Sequence, residues 1–338
     1  MKKKSTYIIA EAGVNHNGSV QIALELVKKA KEIGADCVKF QTFKTEEIVT
    51  PSAPKANYQL QVTDKRESQF QMLKKLELNQ DSFKLLKNEC DKIGIDFMST
   101  PYSIRDIELL DEIGVNAFKI ASGQLTEHYF LKKVAQKNKP IILSTGMGTL
   151  KEVSKAVEII KKINSNITVL HCTTNYPSLI QDSNINAMLT IKNSCNVRVG
   201  YSDHVIDNYA CYAAVSLGAE IIEKHFTLDK EMEGPDHSCS LNPMEFKILI
   251  NGIRSIENSL GDGVKRPTES EKKNIFGMRR GIVATKKIRE GDMLSSNNIG
   301  VKRPLIGMPP SEIENVFGKV ALSDINIDEP IFKENIDF

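Results

Sequence analysis

The sequence has no long apolar run. No stretch approaches the ~18 consecutive apolar residues that suggest a membrane-spanning helix. The lysine-rich start, MKKKSTYIIAEAG, looks only briefly like a secretion signal, because its apolar stretch is short and contains Glu11, and no small-residue cleavage site follows. We therefore expect a cytoplasmic protein that does not act at a membrane.

The chain also lacks an excess of either charge and any C-x-x-C pair. It has 45 basic and 43 acidic residues, for a net charge of +2, so we expect no bulk field that would attract nucleic acid. Recognition of an anion would have to be local. The six cysteines are scattered, and we predict neither a zinc site nor a disulfide from them.

What the sequence does contain is a regular alternation. Eight short β-branched runs, from YIIAEAG (7–13) to IIEKHF (221–226), alternate with amphipathic segments such as LKEVSKAVEIIKKIN. Such alternation is typical of parallel β/α units, and eight units predict a closed α/β fold, the (β/α)8 or TIM barrel.

The barrel is predicted to be the first of two domains. We place it at 1–262, followed by a turn-rich, charged linker at 263–280. Residues 281–338 have short strands, the turn pairs EGD and DEP, and little helical periodicity. They predict a small C-terminal β-rich domain, which we expect to dock on the barrel or on a partner subunit.

Two histidines lie at the ends of neighbouring predicted strands. His204 ends GYSDH and His225 lies in IIEKHF, 225 − 204 = 21 residues later. The carboxyl ends of barrel strands converge on one site, and neutral imidazole is a common ligand of catalytic divalent metals. The spacing predicts an open two-histidine metal site. The alternative is that one or both histidines are buried and hydrogen-bonded at the end of the strand layer.

Other predicted strand ends carry charges and hydroxyls. Two lysines, several hydroxyls and a metal would form a receptor for a small dianion such as a phosphate ester with a carboxylate. In the alternative interpretation, Lys39 and Lys119 only neutralise Glu11 and Glu223 in a structural network, although buried ion pairs are weak stabilisers. The remaining polar strand-end residues of this predicted site include Gln41, Ser122, Ser144 and Ser202.

Two connections are predicted to cover the barrel mouth. A long insert after the second strand, from Thr42 to about Gln80, is typical of a lid or binding loop, with candidate substrate contacts at Lys55, Tyr58 and Gln59. The segment GPDH (234–237) supplies Asp236, either to orient a hydroxyl or move a proton, or simply to form a local turn hydrogen bond.

The ordered motifs EAGVNHNG, KFQTFK, APKANYQ, FKIASG, LSTGM, HCTTNYP, GYSDH, EKHFTLDK and GPDH resemble those of the N-acetylneuraminate (sialic acid) synthases and their legionaminate relatives. The tail containing VKRP resembles their antifreeze-like (SAF) C-terminal domain. The resemblance covers essentially the whole chain.

The resemblance implies condensation of phosphoenolpyruvate with an open-chain N-acetylmannosamine-type sugar. The products would be N-acetylneuraminate, or a close nonulosonate, and phosphate released by C–O cleavage. The alternative within the family is an N,N'-diacetyllegionaminate synthase acting on 2,4-diacetamido-2,4,6-trideoxymannose. The family uses a divalent metal, Mn²⁺ or else Mg²⁺, which the resemblance assigns to His204 and His225.

The resemblance also implies individual roles. Glu11 corresponds to a glutamate near the metal, and we predict that it positions or deprotonates the water that adds to the intermediate. Many relatives have glutamate at the position of Gln124, so a different sugar substituent is expected if this residue faces the sugar. Phosphoenolpyruvate contacts are implied for Lys39, Lys119, Ser122, Ser144 and Ser202. Sugar contacts are implied for Gln41, Tyr176, Asp236 and Arg303.

Arg303 would reach the sugar from the antifreeze-like domain of the other subunit, which implies a domain-swapped homodimer. Two rival hypotheses remain open. One is a barrel synthase that joins phosphoenolpyruvate to a phosphosugar, against which the tail argues. The other is a catalytically silent carbohydrate-binding protein, against which the retained histidines and lysines argue.

Overall fold

A computed structural model describes residues 5–56, 59–64 and 66–338. The chain forms two compact units, Met1–Gly261 and Asp262–Phe338. Tyr58, a predicted lid contact, lies outside the described residues. Within those residues, we find no helix that is both long and apolar enough to cross a membrane.

The first unit is built on eight parallel strands. Their hydrogen-bonded order is β3-β2-β1-β8-β7-β6-β5-β4, and β3 and β4 contact each other on the remaining side, so the predicted eight-stranded barrel is confirmed. The strands are β1 (Tyr7–Gly13), β2 (Cys37–Thr42), β3 (Asp96–Pro101), β4 (Phe118–Ile120), β5 (Ile141–Ser144), β6 (Ile167–Cys172), β7 (Arg198–Asp203) and β8 (Ile221–His225).

Helices follow the strands and cover the outside of the barrel. Local signals delimit them: the Ser19 side chain caps the first helix, and Gly34 ends it in the left-handed region with a φ of 91°. The helices of this unit are α1 (Val20–Ile33), α2 (Thr45–Ile48), α3 (Gln59–Val62), α4 (Gln69–Lys74), α5 (Gln80–Ile93), α6 (Ile104–Glu112), α7 (His128–Ala135), α8 (Leu150–Lys161), α9 (Asn186–Cys195), α10 (Tyr209–Ser216) and α11 (Pro243–Ser259).

The barrel interior has an apolar floor below its carboxyl end. Because side chains alternate along a strand, residues two positions apart face the same side. Ile9 lies two residues before Glu11, Cys37 two before Lys39, and Ile221 two before Glu223. The polar residues therefore lie one layer above this floor, which is formed by Ile9, Cys37, Met98, Ile142, Leu170 and Ile221.

The long insert between β2 and α5 folds into α2, α3 and α4. It is attached to the strand ends by a small apolar cluster in which Val14, Phe43 and Leu76 are buried. Two ion pairs of 3.0 Å, Lys44–Glu77 and Lys55–Glu67, join its parts to one another. Lys55 is thus used inside the insert.

The second unit has its own core around Ile282, Leu294 and Ile331. Its elements are α12 (Glu269–Met278), the antiparallel pair β9 (Gly281–Ala284) and β10 (Ile299–Lys302), and α13 (Ile313–Val316). The helix α12 lies inside the predicted linker. It forms because Thr268 and Glu271 make a reciprocal capping box at its start.

Candidate active site

A cavity of about 340 Å³ opens at the carboxyl ends of the strands. The structure brings together in its wall every predicted site residue of the barrel except Gln124. They are Glu11, Lys39, Gln41, Lys119, Ser122, Ser144, Tyr176, Ser202, His204, His225 and Asp236.

Strand register explains this convergence. In the parallel ladders, Glu11 of β1 aligns with Lys39 of β2 on one side and with His225 of β8 on the other. Ser202 of β7 aligns with Glu223 of β8. Residues that are far apart in sequence therefore lie at one height in the barrel and face one space.

Two lysines and two glutamates form a buried charge cluster. The Lys39 ammonium lies 2.6 Å from a Glu11 oxygen and 3.9 Å from a Glu223 oxygen, and Lys119 lies 3.4 Å from the same Glu223 oxygen. The ion pairs of the purely structural interpretation are therefore formed. They leave open space above them, however, because all four side chains line the cavity.

The cluster shifts the acidity of its members in opposite directions. Burial raises the pKa of Glu11, and the nearby Glu223 adds to this effect while Lys39 opposes it. Burial also disfavours the Glu223 carboxylate, but Lys119 and Lys39 outweigh burial and lower its pKa. Burial lowers the pKa of Lys119, whereas the two glutamates outweigh burial at Lys39 and raise its pKa.

Hydroxyl groups hold the lysines in place. Lys119 donates to the Ser144 hydroxyl at 2.7 Å, and Lys39 donates to the Thr100 hydroxyl at 3.1 Å. The hydroxyl of Ser202 donates to Glu223 at 3.1 Å. The result is a cradle of ammonium and hydroxyl groups suited to a small anion with more than one oxyanion group.

The two histidines lie side by side. The ring centroids of His204 and His225 are 5.4 Å apart, and the Tyr176 ring is 4.1 Å from His204 and 5.5 Å from His225. The Nδ1 of His204 lies 2.6 Å from the carbonyl oxygen of Thr173, which can only accept. Nδ1 therefore donates this hydrogen bond, which leaves Nε2 as the ring nitrogen available to a metal.

The chemistry of this pair fits a divalent metal. Burial, followed by the charge of His204, lowers the pKa of His225 well below its usual range, so its ring is neutral. Its Nδ1 is buried and makes no hydrogen bond within the described residues, with Asp236 Oδ2 3.9 Å away. The described chain contains no cluster of three or more His, Cys, Asp or Glu side chains arranged to hold a metal. The two imidazoles would supply two ligands of a divalent metal and leave its other coordination positions open.

Asp236 lies over the mouth on the loop after β8 and is buried. Burial, helped by the charge of Glu11, raises the pKa of Asp236 to about 7. Its carboxyl group can therefore both give and take a proton near neutral pH.

Gln41 is held between two neighbours: its amide donates to Glu11 at 3.3 Å and its oxygen accepts from the Tyr102 hydroxyl at 3.4 Å.

One wall of the cavity is apolar and was missed by reasoning from strand ends. The insert supplies this apolar wall through Ile48, Val49, Met72 and Leu73. Phe43, just past the end of β2, lies beside it. The sequence shows that the insert contains apolar residues, but it does not show which surface of the barrel they pack against. Cys172 also lines the cavity.

Two predicted residues lie elsewhere. The Gln124 side chain is buried but turns back, and its oxygen accepts from the Ala121 backbone N–H at 3.4 Å. Its amide nitrogen is buried without a hydrogen bond to the described residues. Arg303 belongs to the second unit, where it is exposed, and its reach to the sugar stays a prediction.

The sequence matches the NeuB family over residues 26–265 and the SAF domain over residues 279–337. The chain belongs to the NeuB family. The predicted antifreeze-like C-terminal domain is thereby confirmed.

Several relatives are similar over most of the chain. An N,N'-diacetyllegionaminic acid synthase of Campylobacter jejuni is 46% identical, covering 97% of this chain and 99% of the relative. One of Legionella pneumophila is 41% identical, covering 98% and 94%. The crystal structure of a sialic acid synthetase from Leptospira borgpetersenii, in complex with citrate, has a TM-score of 0.71 at 34% identity and covers 80% of this chain and 90% of its own.

Proposed function

We propose that this NeuB-family protein condenses phosphoenolpyruvate with an open-chain N-acetylated amino sugar, giving a nine-carbon 2-keto acid and phosphate. The observation that carries the proposal is the arrangement of one cavity. A cradle of Lys39, Lys119 and Ser144 lies beside the imidazoles of His204 and His225, and Asp236 lies at the mouth of the same cavity.

Binding of phosphoenolpyruvate is the task of the cradle. Its phosphate and carboxylate compete with Glu11 and Glu223 for the two lysines, whose charges are already fixed in position by hydroxyl partners. Because the donors are preorganised, they need little rearrangement when charge develops in the transition state. The buried surroundings strengthen each of these interactions relative to water.

A divalent metal, Mn²⁺ or else Mg²⁺, is proposed at His204 and His225. When bound, it supplies a Lewis acid that polarises the aldehyde of the open-chain sugar. The protein's part is to hold both rings in position: the Thr173 carbonyl accepts from His204 Nδ1, and burial keeps the His225 ring neutral. Tyr176 packs against both rings and limits their rotation.

The bond changes follow from the two substrates. C3 of phosphoenolpyruvate attacks the aldehyde carbon, and the resulting cationic C2 takes up water. The tetrahedral intermediate then loses phosphate by cleavage of the C2–O bond. Glu11, which lines the cavity and has a raised pKa, is proposed to position the water and accept its proton. Asp236 is proposed to donate a proton to the former aldehyde oxygen.

The sugar side is proposed to involve Gln41, Tyr176 and Asp236 of one chain and Arg303 of a second copy in a cytoplasmic homodimer.

The apolar wall favours a second, narrower candidate function. A 2,4-diacetamido-2,4,6-trideoxy sugar ends in a methyl group and has an acetamido group on C4, where N-acetylmannosamine has a hydroxymethyl group and a hydroxyl. Ile48, Val49 and Leu73 are suited to such groups. This points to N,N'-diacetyllegionaminate as the product, as in the relatives named above.

The test is a substrate panel with phosphate release and product mass as readouts. Phosphoenolpyruvate is supplied with N-acetylmannosamine, with its 2,4-diacetamido-2,4,6-trideoxy analogue, or with a phosphorylated tetrose or pentose. We expect phosphate and a nine-carbon keto acid with an amino sugar only, and bridging ¹⁸O of phosphoenolpyruvate should appear in the phosphate. Turnover of the phosphosugar alone, or of no sugar in the presence of Mn²⁺, would contradict the proposal.

A further inference from the structure

A second buried ion pair lies directly behind the two histidines. Lys224 stands between Glu223 and His225 on β8, and Asp203 precedes His204 at the end of β7. Their side chains face away from the cavity, because neighbours along a strand point to opposite sides. Asp203 and Lys224 are aligned in the β7–β8 ladder, and their side chains are 0% and 1% exposed.

The hydrogen bonds of this pair are complete. The Lys224 ammonium donates to Asp203 Oδ2 at 2.5 Å and to the backbone carbonyls of Val205 and Asp207, both at 2.6 Å. All three of its N–H groups are thus used. Asp203 also accepts from the Tyr201 hydroxyl at 3.1 Å, the Val205 N–H at 3.0 Å and the Cys211 thiol at 3.1 Å.

These bonds fix the backbone on both sides of His204. Asp203 precedes the histidine, and Val205 and Asp207 follow it, so one ammonium ties the strand end to the turn that leaves it. The His204 carbonyl also accepts from the Ser178 N–H at 2.9 Å. Because Lys224 is joined covalently to His225, the same ammonium links the backbones that carry the two imidazoles.

Stability alone is a weak reason for such a pair. A buried ion pair contributes little compared with apolar side chains of similar size, because both charges must be removed from water. A metal site, in contrast, depends on its ligands being held to about 0.5 Å, and groups behind the ligands set that geometry.

We propose that Lys224 is a positioning residue which, with Asp203, holds His204 and His225 at the separation that one divalent metal requires. The inference rests on the proposed metal site and goes beyond it by naming what determines its geometry. Loss of the pair should weaken metal binding more than it weakens either folding or the binding of phosphoenolpyruvate. The lysines proposed to bind phosphoenolpyruvate, Lys39 and Lys119, lie on other strands, β2 and β4.

The experiment measures Mn²⁺ and phosphoenolpyruvate affinities by calorimetry on metal-free full-length protein, together with thermal unfolding. The double variant K224M/D203L is the main test, since it removes both charges and leaves neither one buried alone. We expect its Mn²⁺ affinity to fall on the order of 10–100-fold. Its affinity for phosphoenolpyruvate should change by less than about threefold. D203N, which keeps the side-chain size, is measured in parallel and decides the matter if the double variant does not fold.

Lys84→Met serves as the matched control, because Lys84 forms an exposed ion pair with Glu112 and is not among the residues that line the cavity. It should leave both affinities unchanged. Wild-type Mn²⁺ affinity in K224M/D203L or, should that variant not fold, in D203N, overturns the proposal, as does equal weakening of both ligands. Failure of the wild type itself to bind Mn²⁺ would instead remove the metal site on which the inference rests. Phosphate release by the wild type with an amino sugar distinguishes that outcome from failure of the proposed condensation.

Discussion

The ammonium group of Lys119 donates to the hydroxyl oxygen of Ser144 across 2.7 Å. Because this oxygen is already an acceptor, the hydroxyl proton of Ser144 is free to be donated to a bound oxyanion. This hydrogen bond thus holds the Lys119 ammonium in place and also orients the Ser144 hydroxyl as a donor. The pair lies in the cavity wall with Glu223 3.4 Å from the ammonium, so the charge is balanced until an anion arrives.

Replacing Lys119 with methionine should therefore remove a preorganised donor without changing the size of the side chain much. We expect kcat/KM for phosphoenolpyruvate to fall about 10²–10³-fold, the usual cost of losing one such donor. The sugar KM should change less. Lys84→Met, at an exposed ion pair, is the control and should retain full activity in the same phosphate-release assay. A Lys119→Met enzyme with normal kcat/KM would mean that the cradle does not bind phosphoenolpyruvate.

Removal of the metal ligands gives a second prediction. His225→Ala should abolish turnover and Mn²⁺ binding, because it removes the buried Nδ1, which makes no hydrogen bond to any residue that the structure describes. Chelation of the wild-type enzyme should have the same effect and should be reversed by added Mn²⁺. His128→Ala, at an exposed position on α7, is the control. Full activity of the wild type in metal-free buffer would count against the ligand assignment.

Much of the site was predictable because strand ends are defined by a short local pattern. A period of two in β1, β2, β7 and β8 determines which side chains face inward, and parallel register brings them to one height. Lys39, His204 and His225 could therefore be grouped without any coordinates. The same pattern gives no role to side chains that face outward, so it does not predict that Lys224 lies behind both histidines.

The features of the site that could not be predicted depend on how the segments between strands and helices fold back. Local sequence patterns do not determine this path. Gln124 follows FKIASG directly, yet a tight turn at Ser122–Gln124 points its oxygen at the Ala121 N–H instead of into the cavity. The apolar wall needs the insert to dock on Val14 and Phe43, a tertiary contact with no sequence period. The helix α12 was predictable, since Thr268 and Glu271 have capping-box spacing, but the charged composition favoured a linker.

The apolar wall leads to a prediction about sugar preference. Leu73→Asn should raise the KM for the 2,4-diacetamido-2,4,6-trideoxy sugar about tenfold, the scale of losing one apolar contact with a methyl group. The KM for N-acetylmannosamine should change less, and that for phosphoenolpyruvate should not change. Leu85→Asn, at a leucine that is 46% exposed on α5, is the matched control. An equal effect on both sugars would mean that the wall does not contact the groups in which they differ.

Arg303 gives a prediction about assembly. Arg303→Ala should raise the sugar KM far more than the phosphoenolpyruvate KM, whereas Arg289→Ala, at another exposed arginine of the same unit, should change neither. If the arginine enters from a second subunit, the Arg303→Ala and Lys119→Met proteins can be mixed and reassembled and assayed at a sugar concentration far below the raised KM, where each alone is nearly inactive. The mixture should then recover about a quarter of wild-type activity, because half of the dimers have one intact site. No recovery after verified subunit exchange would place the arginine in the same chain's site or outside any site.

His16 should make stability depend on pH. Burial, followed by the charge of His237, lowers the pKa of His16 from 6.5 to about 4, and its Nδ1 accepts from the Gly18 N–H at 3.0 Å. The unfolded chain, with an ordinary histidine pKa of ~6.5, binds the proton first as pH falls. The free energy of unfolding should therefore be constant above pH ~6.5 and decline by about 3 kcal/mol between pH ~6.5 and ~4 through this residue.

His16→Asn tests this dependence, because an asparagine oxygen can replace Nδ1 as the acceptor but cannot be protonated in this range. Urea unfolding at pH 7 and at pH 4.5 should show a smaller loss of unfolding free energy in the variant than in the wild type. His237, whose pKa burial also lowers to about 4, accounts for part of the remaining loss. His128→Asn should behave as the wild type. An unchanged loss in His16→Asn would mean that protonation of His16 does not destabilise the fold, and the acid sensitivity would then have to arise from other buried groups.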